Sequence, residues 1–193
     1  MPLAPKILAF SGSNRDGSYN RMLLEAAAAG VEAAGGEVKI LDLRKLRLPL
    51  YDGDLERIEG LPDSVRELKD QMIAHQGFLI ASPEYNGSIS PALKNALDWA
   101  SRPAAGEAAL ACFANKVAAI CSASPGGLGG LRGLVHVRAI LNNLKVLVLP
   151  DQVAVGEAQH AFQGNGAIKN EQERQVVEAL GAKLVDVITK LSA

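Results

Sequence analysis

"KILAFSGSNRDGSYNRMLLEAA", Lys6 to Ala27, divides into three parts. The apolar run Ile7–Phe10 reads as a strand. Ser11 to Ser18 gathers small hydroxyl residues, two glycines and an arginine into a loop. From Asn20 an alanine-rich helical pattern runs to Ala34, where Gly35-Gly36 stops it. Strand, loop and helix in that order open an α/β winding.

The rest of the chain repeats the alternation. Short apolar runs at Lys6–Phe10, Glu37–Leu41, Gly77–Ala81, Lys116–Cys121 and Lys145–Leu149 are nearly continuous, as parallel strands buried on both faces require. Helical patterns cover Asn20–Ala34, Pro62–His75, Ser90–Ser101, Gly130–Asn142 and Gln172–Leu191. Five strands alternating with five helices predict a flavodoxin-like α/β three-layer sandwich. Its five-stranded parallel sheet takes the order 2-1-3-4-5 rather than that of the six-stranded dinucleotide fold. Two stretches, Arg47–Gly60 and Asp151–Asn170, carry no clear period and are expected to be functional, interface or mobile loops.

At 193 residues the chain is expected to form a single domain, 1–193, able to bury about 70% of its unfolded surface. Twenty Lys+Arg stand against 21 Asp+Glu, which gives no sign of a nucleic-acid partner. Cys112 and Cys121 form no C-x-x-C pair, so the sequence suggests neither a disulfide scaffold nor a metal site, and fits a reducing compartment. The first ten residues are too short and too weakly charged for a secretory signal, and no apolar run approaches the roughly 18 residues of a membrane span. The expectation is a cytoplasmic protein with no membrane partner.

In a 2-1-3-4-5 sheet the winding reverses between strands 1 and 3, and ligands sit beyond the strand ends there. The loops at that point are Ser11–Ser18 and Ser82–Ser88, with "SASPGGLGGLRG" following the fourth strand. The first reads as a phosphate cradle. Gly12 and Gly17 admit an anion to the backbone, the helix start offers free N–H groups, Ser13, Ser18 and Asn20 donate, and Arg15 supplies charge. Asp16 opposes this and is expected to point away. The alternative is an ordinary strand–helix turn capped by Ser18 or Asn20. Neither G-x-x-x-x-G-K-[ST] nor a G-x-G-x-x-G after the first strand is present. The second loop suits a flat ring: Pro83 is stiff, Tyr85 planar, and the amides through Asn86 and Gly87 can bond a ring edge. Glu84 is a candidate general base. The alternative is a β-turn with an exposed tyrosine.

These residues resemble a known family. "GSNRDGSYN" (Gly12–Asn20) is similar to the G-S-x-R-x-x-S-x-N loop of the NAD(P)H-dependent FMN reductases, which include quinone, chromate and azo reductases. "SPEYNGSISPALKNALDWASRP" (Ser82–Pro103) resembles their P-E-Y-N…L-K-N-A-[IL]-D-W-x-S-R stretch, and "SPGGLGGLR" (Ser124–Arg132) their glycine-rich third loop. The similarity takes in "PLYDGD" (Pro49–Asp54) and thins after about residue 150.

The resemblance implies that Ser13, Arg15, Ser18 and Asn20 bind the FMN phosphate. It implies that Pro83, Glu84, Tyr85, Asn86 and Gly87 line the isoalloxazine, and that Ser124 and Gly126 close its other side. It further implies NAD(P)H as co-substrate, a small-molecule electron acceptor, and a homodimer or homotetramer joined through Pro49–Leu55 and Ser90–Ser101. The reaction expected is hydride transfer through FMN to a quinone-like acceptor in a ping-pong cycle, with the flavin carrying the chemistry and no side chain named as catalytic. The alternative is a flavodoxin-type carrier acting between protein partners, against which the near-neutral charge counts. Cys121 reads as core, and Cys112 lacks a basic neighbour closer than Lys116. Trp99 reads as packing. Arg102 reads as a contact for a cofactor phosphate or a neighbouring subunit.

Overall fold

Strand β1 (Lys6–Ser11) buries every residue after Lys6, as its unbroken apolar run requires of a strand covered on both faces. In the computed structural model, which describes residues 4–192, it is followed by helix α1 (Tyr19–Ala33) and strand β2 (Glu37–Leu41). Residues 1–3 and 193 of the expected domain lie outside the described residues. The chain continues through α2 (Leu43–Leu46), α3 (Gly53–Glu59), α4 (Asp63–Ile73) and β3 (Gly77–Ala81). A small hairpin, β4 (Glu84–Tyr85) and β5 (Ser88–Ile89), precedes α5 (Pro91–Ala100) and β6 (Val117–Ala123). Then come α6 (Leu131–Asn143), β7 (Leu147–Val155), α7 (Ala158–Ala161) and α8 (Glu171–Leu191).

The main sheet has the order β2-β1-β3-β6-β7 with every pairing parallel, so the predicted 2-1-3-4-5 order and the flavodoxin-like fold both hold. Successive strand residues face opposite sides. Ile7, Ala9, Leu79 and Cys121 meet α1 and α8 on one face, while Leu8, Phe10, Phe78 and Ile120 meet α4, α5 and α6 on the other. Where α1 crosses α8 the backbones touch. A Cβ at Gly30 would stand 1.9 Å from Glu178 O, and one at Gly181 2.1 Å from Ala27 O. The crossing therefore repays two helix-interior glycines, which are otherwise unfavourable.

Both unpatterned stretches are ordered by distant partners. The Pro49–Tyr51 turn is clamped by α5: Asn95 Nδ2 and Trp99 Nε1 each donate to Pro49 O at 2.8 Å, and the Tyr51 N–H donates to Asn95 Oδ1 at 2.8 Å. Arg102 Nε donates to both carboxylate oxygens of Glu56 in α3, at 2.8 and 2.9 Å, and the guanidinium lies over the Tyr51 ring. Within this chain Arg102 thus serves the strap. In the second stretch β7 runs on past the expected end at Leu149. Its register shifts, because Val148 pairs with Ala118 but Gln152 with Ile120. Arg138 holds the irregularity, donating to Leu149 O at 2.6 Å and Gln152 Oε1 at 2.9 Å.

Candidate cofactor site

The cleft at the predicted reversal has a volume of about 200 Å³. It is lined by Ser13, Arg15, Ser18, Tyr19, Asn20, Pro83, Glu84, Tyr85, Ala123, Ser124 and Pro125. A wider groove of about 660 Å³ lies beside Pro150–Val153 and α8, but it is flanked by the sheet edge and has no comparable set of glycine-loop and hydroxyl donors. Chemistry, rather than size, marks the smaller cleft.

Three loops build it. Ser18 occupies the N-cap of α1, but its side chain makes no capping bond, and no acidic residue stands in the helix's first turn. Its hydroxyl and the positive end of the helix are thus left for an anion. Ser90 fixes the loop from outside, donating from Oγ to Gly12 O at 2.5 Å while accepting the Leu93 N–H at the start of α5. Asp16 points away, as expected, because Arg44 of α2 pairs with it in solvent.

Asn20 lines the cleft, but its amide is committed elsewhere. Nδ2 donates to Ala123 O at 2.8 Å and Oδ1 accepts the Ala123 N–H at 3.0 Å, with the side chain buried. This bidentate bond ties the phosphate loop to the end of β6, a role its place in the motif does not reveal.

In the second loop, Asn86 (φ 51°) and Gly87 (φ 78°) form the tight turn of the β4–β5 hairpin. Of the expected ring-binding residues, Pro83, Glu84 and Tyr85 reach the cleft, with Tyr85 about half exposed. Asn86 and Gly87 are carried to the hairpin tip and do not line it. Glu84 is not poised as a base. Burial acts to raise its pKa, but hydrogen bonds and charge from Arg132, together with the Gly133 N–H, outweigh it and hold the carboxyl below its ordinary value. Glu84 Oε1 accepts from Arg132 Nε at 2.8 Å, and Oε2 accepts the Gly133 N–H at 3.1 Å. The carboxylate thereby supplies the cap that Gly130, in its left-handed conformation at φ 87°, cannot give α6.

In the third loop Ser124 lines the cleft, while Gly126 lies beyond it, its N–H bonded to Ser124 Oγ at 3.2 Å. Tyr19, Ala123 and Pro125 line the cleft without having been singled out from sequence. Tyr19 occupies a variable position of the motif, and Ala123 has no chemistry of its own to mark it. Both cysteines are free and buried; burial pushes Cys112 up to about 11 and Cys121 to about 12, so neither is a nucleophile. Trp99 is buried, as expected of a packing residue. Among the described residues no cluster could hold a metal ion, and no helix is long and apolar enough to cross a membrane.

An open parallel sheet with an anion cradle and a planar platform at its reversal defines a flavodoxin-like protein built to hold a phosphorylated planar cofactor. Residues 5–160 match the family described as NADPH-dependent FMN reductase, and the chain belongs to that family. Over 174 residues it is 37% identical to an NAD(P)H-dependent FMN reductase of Pseudomonas aeruginosa, covering 90% of this chain and 89% of that protein. It is 32% identical to a quinone reductase of Escherichia coli (strain K12), covering 95% and 89%. The solved structure of FerB, a flavoenzyme NAD(P)H:(acceptor) oxidoreductase from Paracoccus denitrificans, superposes with a TM-score of 0.81 at 26% identity over 97% of this chain and 98% of that one. A flavodoxin from the domain Archaea, at 10% identity and a TM-score of 0.61, shares the fold alone. The chain is an FMN-dependent oxidoreductase of an NAD(P)H-using family.

Proposed function

We propose that this single domain holds FMN in the cleft, with the phosphate against Ser13, Arg15, Ser18 and the start of α1. The ring would lie between the Pro83–Gly87 and Ser124–Gly126 loops. The joint lining of one cleft by Ser13, Arg15, Ser18, Pro83, Tyr85 and Ser124 carries this reading. The donor set fits a phosphate dianion, since both nearby carboxylates are neutralised, Asp16 by Arg44 and Glu84 by Arg132. When bound, FMN supplies two-electron hydride chemistry, taking hydride from NAD(P)H and delivering it, with a proton, to a quinone-like or similarly small acceptor in a ping-pong cycle.

The chain's own residues bind and orient. Pro83 stiffens the platform, and Tyr85 offers an exposed ring beside the cleft mouth. Asn20 sets the spacing of the first and third loops, and the Asn86–Gly87 turn closes the hairpin that carries Tyr85. No side chain is required as acid or base. The oligomer is a homodimer or homotetramer joined through Pro49–Leu55 and Ser90–Ser101, a reading that the 80% exposed Leu50 supports. Two unpaired thiols fit the cytoplasm.

Steady-state kinetics with NADPH and benzoquinone test the reaction. Parallel double-reciprocal lines are expected, and intersecting lines would replace ping-pong with a ternary complex. Turnover with a protein acceptor but with no small molecule would favour the electron carrier, a reading the net charge of −1 does not support.

A further inference from the structure

The Asp151–Asn170 stretch ends in a small hairpin that the cofactor reading leaves without a role. Phe162 bridges to Ile168, the Gln163 N–H donates to Ala167 O at 2.8 Å, and the Lys169 N–H donates to Ala161 O at 2.9 Å. Its turn leans on α1, where Gly166 faces Met22. This places the buried Phe162 ring parallel to Tyr19, with centroids 5.8 Å apart and planes at 13°. On Tyr19 lies the guanidinium of Arg15, its Cζ 5.2 Å from the ring centroid. The Arg15 side chain is also drawn to Gly17 O at 3.3 Å. Phe162, Tyr19 and Arg15 thus form one chain of contacts, rooted in the core and ending in the cleft.

A free arginine side chain carries about 2 kcal/mol of rotamer entropy, most of which is lost when it grips a phosphate. Packing on a ring that is itself held by a buried neighbour removes part of that loss before binding. We propose that Phe162, acting through Tyr19, positions Arg15 for the cofactor phosphate, so that the Phe162–Ile168 hairpin belongs to the phosphate site. The proposal rests on the FMN reading above.

Binding of FMN and of riboflavin to the apoprotein, followed by flavin fluorescence, separates the two claims. Phe162→Leu keeps the buried volume while removing the ring. It is expected to raise the Kd for FMN by up to about fivefold, the full worth of the Arg15–Tyr19 cation–π contact that a loosened Tyr19 no longer holds, and to leave riboflavin unchanged. In an Arg15→Ala background the same substitution should change neither Kd. Tyr19→Leu, at a half-buried position, should behave as Phe162→Leu does even where the latter folds poorly, and Tyr19→Phe should restore wild-type binding. An unchanged FMN Kd in Phe162→Leu and Tyr19→Leu, equal weakening of both flavins, or weakening that persists without Arg15 would overturn the positioning role while leaving the cradle intact. A wild-type protein that binds riboflavin as tightly as FMN would remove the phosphate reading itself, and the role of these contacts with it.

Discussion

Replacing Asn20 by alanine separates the structural role seen here from the direct phosphate contact that its motif position implies. The substitution removes two buried hydrogen bonds to Ala123, at 2.8 and 3.0 Å, and leaves that residue's N–H and C=O without their side-chain partner. Each bond is worth about 1 kcal/mol net, and an orphaned buried group adds about 1–3 kcal/mol. A loss of about 2–4 kcal/mol follows, or a fall in Tm of roughly 5–15 °C for a chain of this size. The assay is thermal unfolding of the FMN-free protein followed by circular dichroism, which isolates the clamp from any cofactor effect. Asn20→Asp keeps the acceptor but turns a carboxylate oxygen toward Ala123 O, so it should lose at least as much at neutral pH. An FMN-free Tm equal to wild type, together with a raised Kd for FMN, would make Asn20 a phosphate ligand and refute the clamp.

Three further outcomes follow from the packing and the charges. Gly181→Ala places a Cβ 2.1 Å from Ala27 O, so it should force α1 and α8 apart and cost about 1–3 kcal/mol in denaturant unfolding, even though alanine is the better helix former. The Glu84 carboxyl titrates below its unfolded value of about 4.3, so its link to Arg132 and Gly133 is fully present above that pH and is lost as pH falls through the folded pKa. Melting curves of wild type and Glu84→Gln should therefore differ at pH 6 and converge in acid; a constant gap would show that the charge is not what matters. Trp99→Phe keeps most of the packing but loses the bond to Pro49 O and should lower stability by about 1–3 kcal/mol, with faster proteolysis of the Pro49–Tyr51 strap as the local readout.

The parallel sheet was legible because β1, β3 and β6 are unbroken apolar runs, a pattern only doubly covered strands need. The second half of β7 was hidden because Pro150 and Asp151 interrupt its run, and Arg138, eleven residues before Leu149, supplies the bonds that let the strand continue. The phosphate loop was readable because an anion cradle is local chemistry: glycine, hydroxyl and arginine at the start of one helix. Partnerships across the chain were not. Nothing in sequence joins Asn20 to Ala123, Glu84 to Arg132 or Glu56 to Arg102, because backbone groups and paired charges carry no signature of their partners. The Ser90–Ser101 pattern shows the same limit. Its serine and proline mark a helix start, but only the folded chain shows that Ser90 also fastens Gly12.

An anaerobic titration of the FMN-loaded protein with NADPH, followed through the flavin's visible absorption, tests the proposed reductase directly. Bleaching within seconds, reversed by added benzoquinone, is the predicted result. A flavin that stays oxidised through excess NADPH and NADH would contradict it.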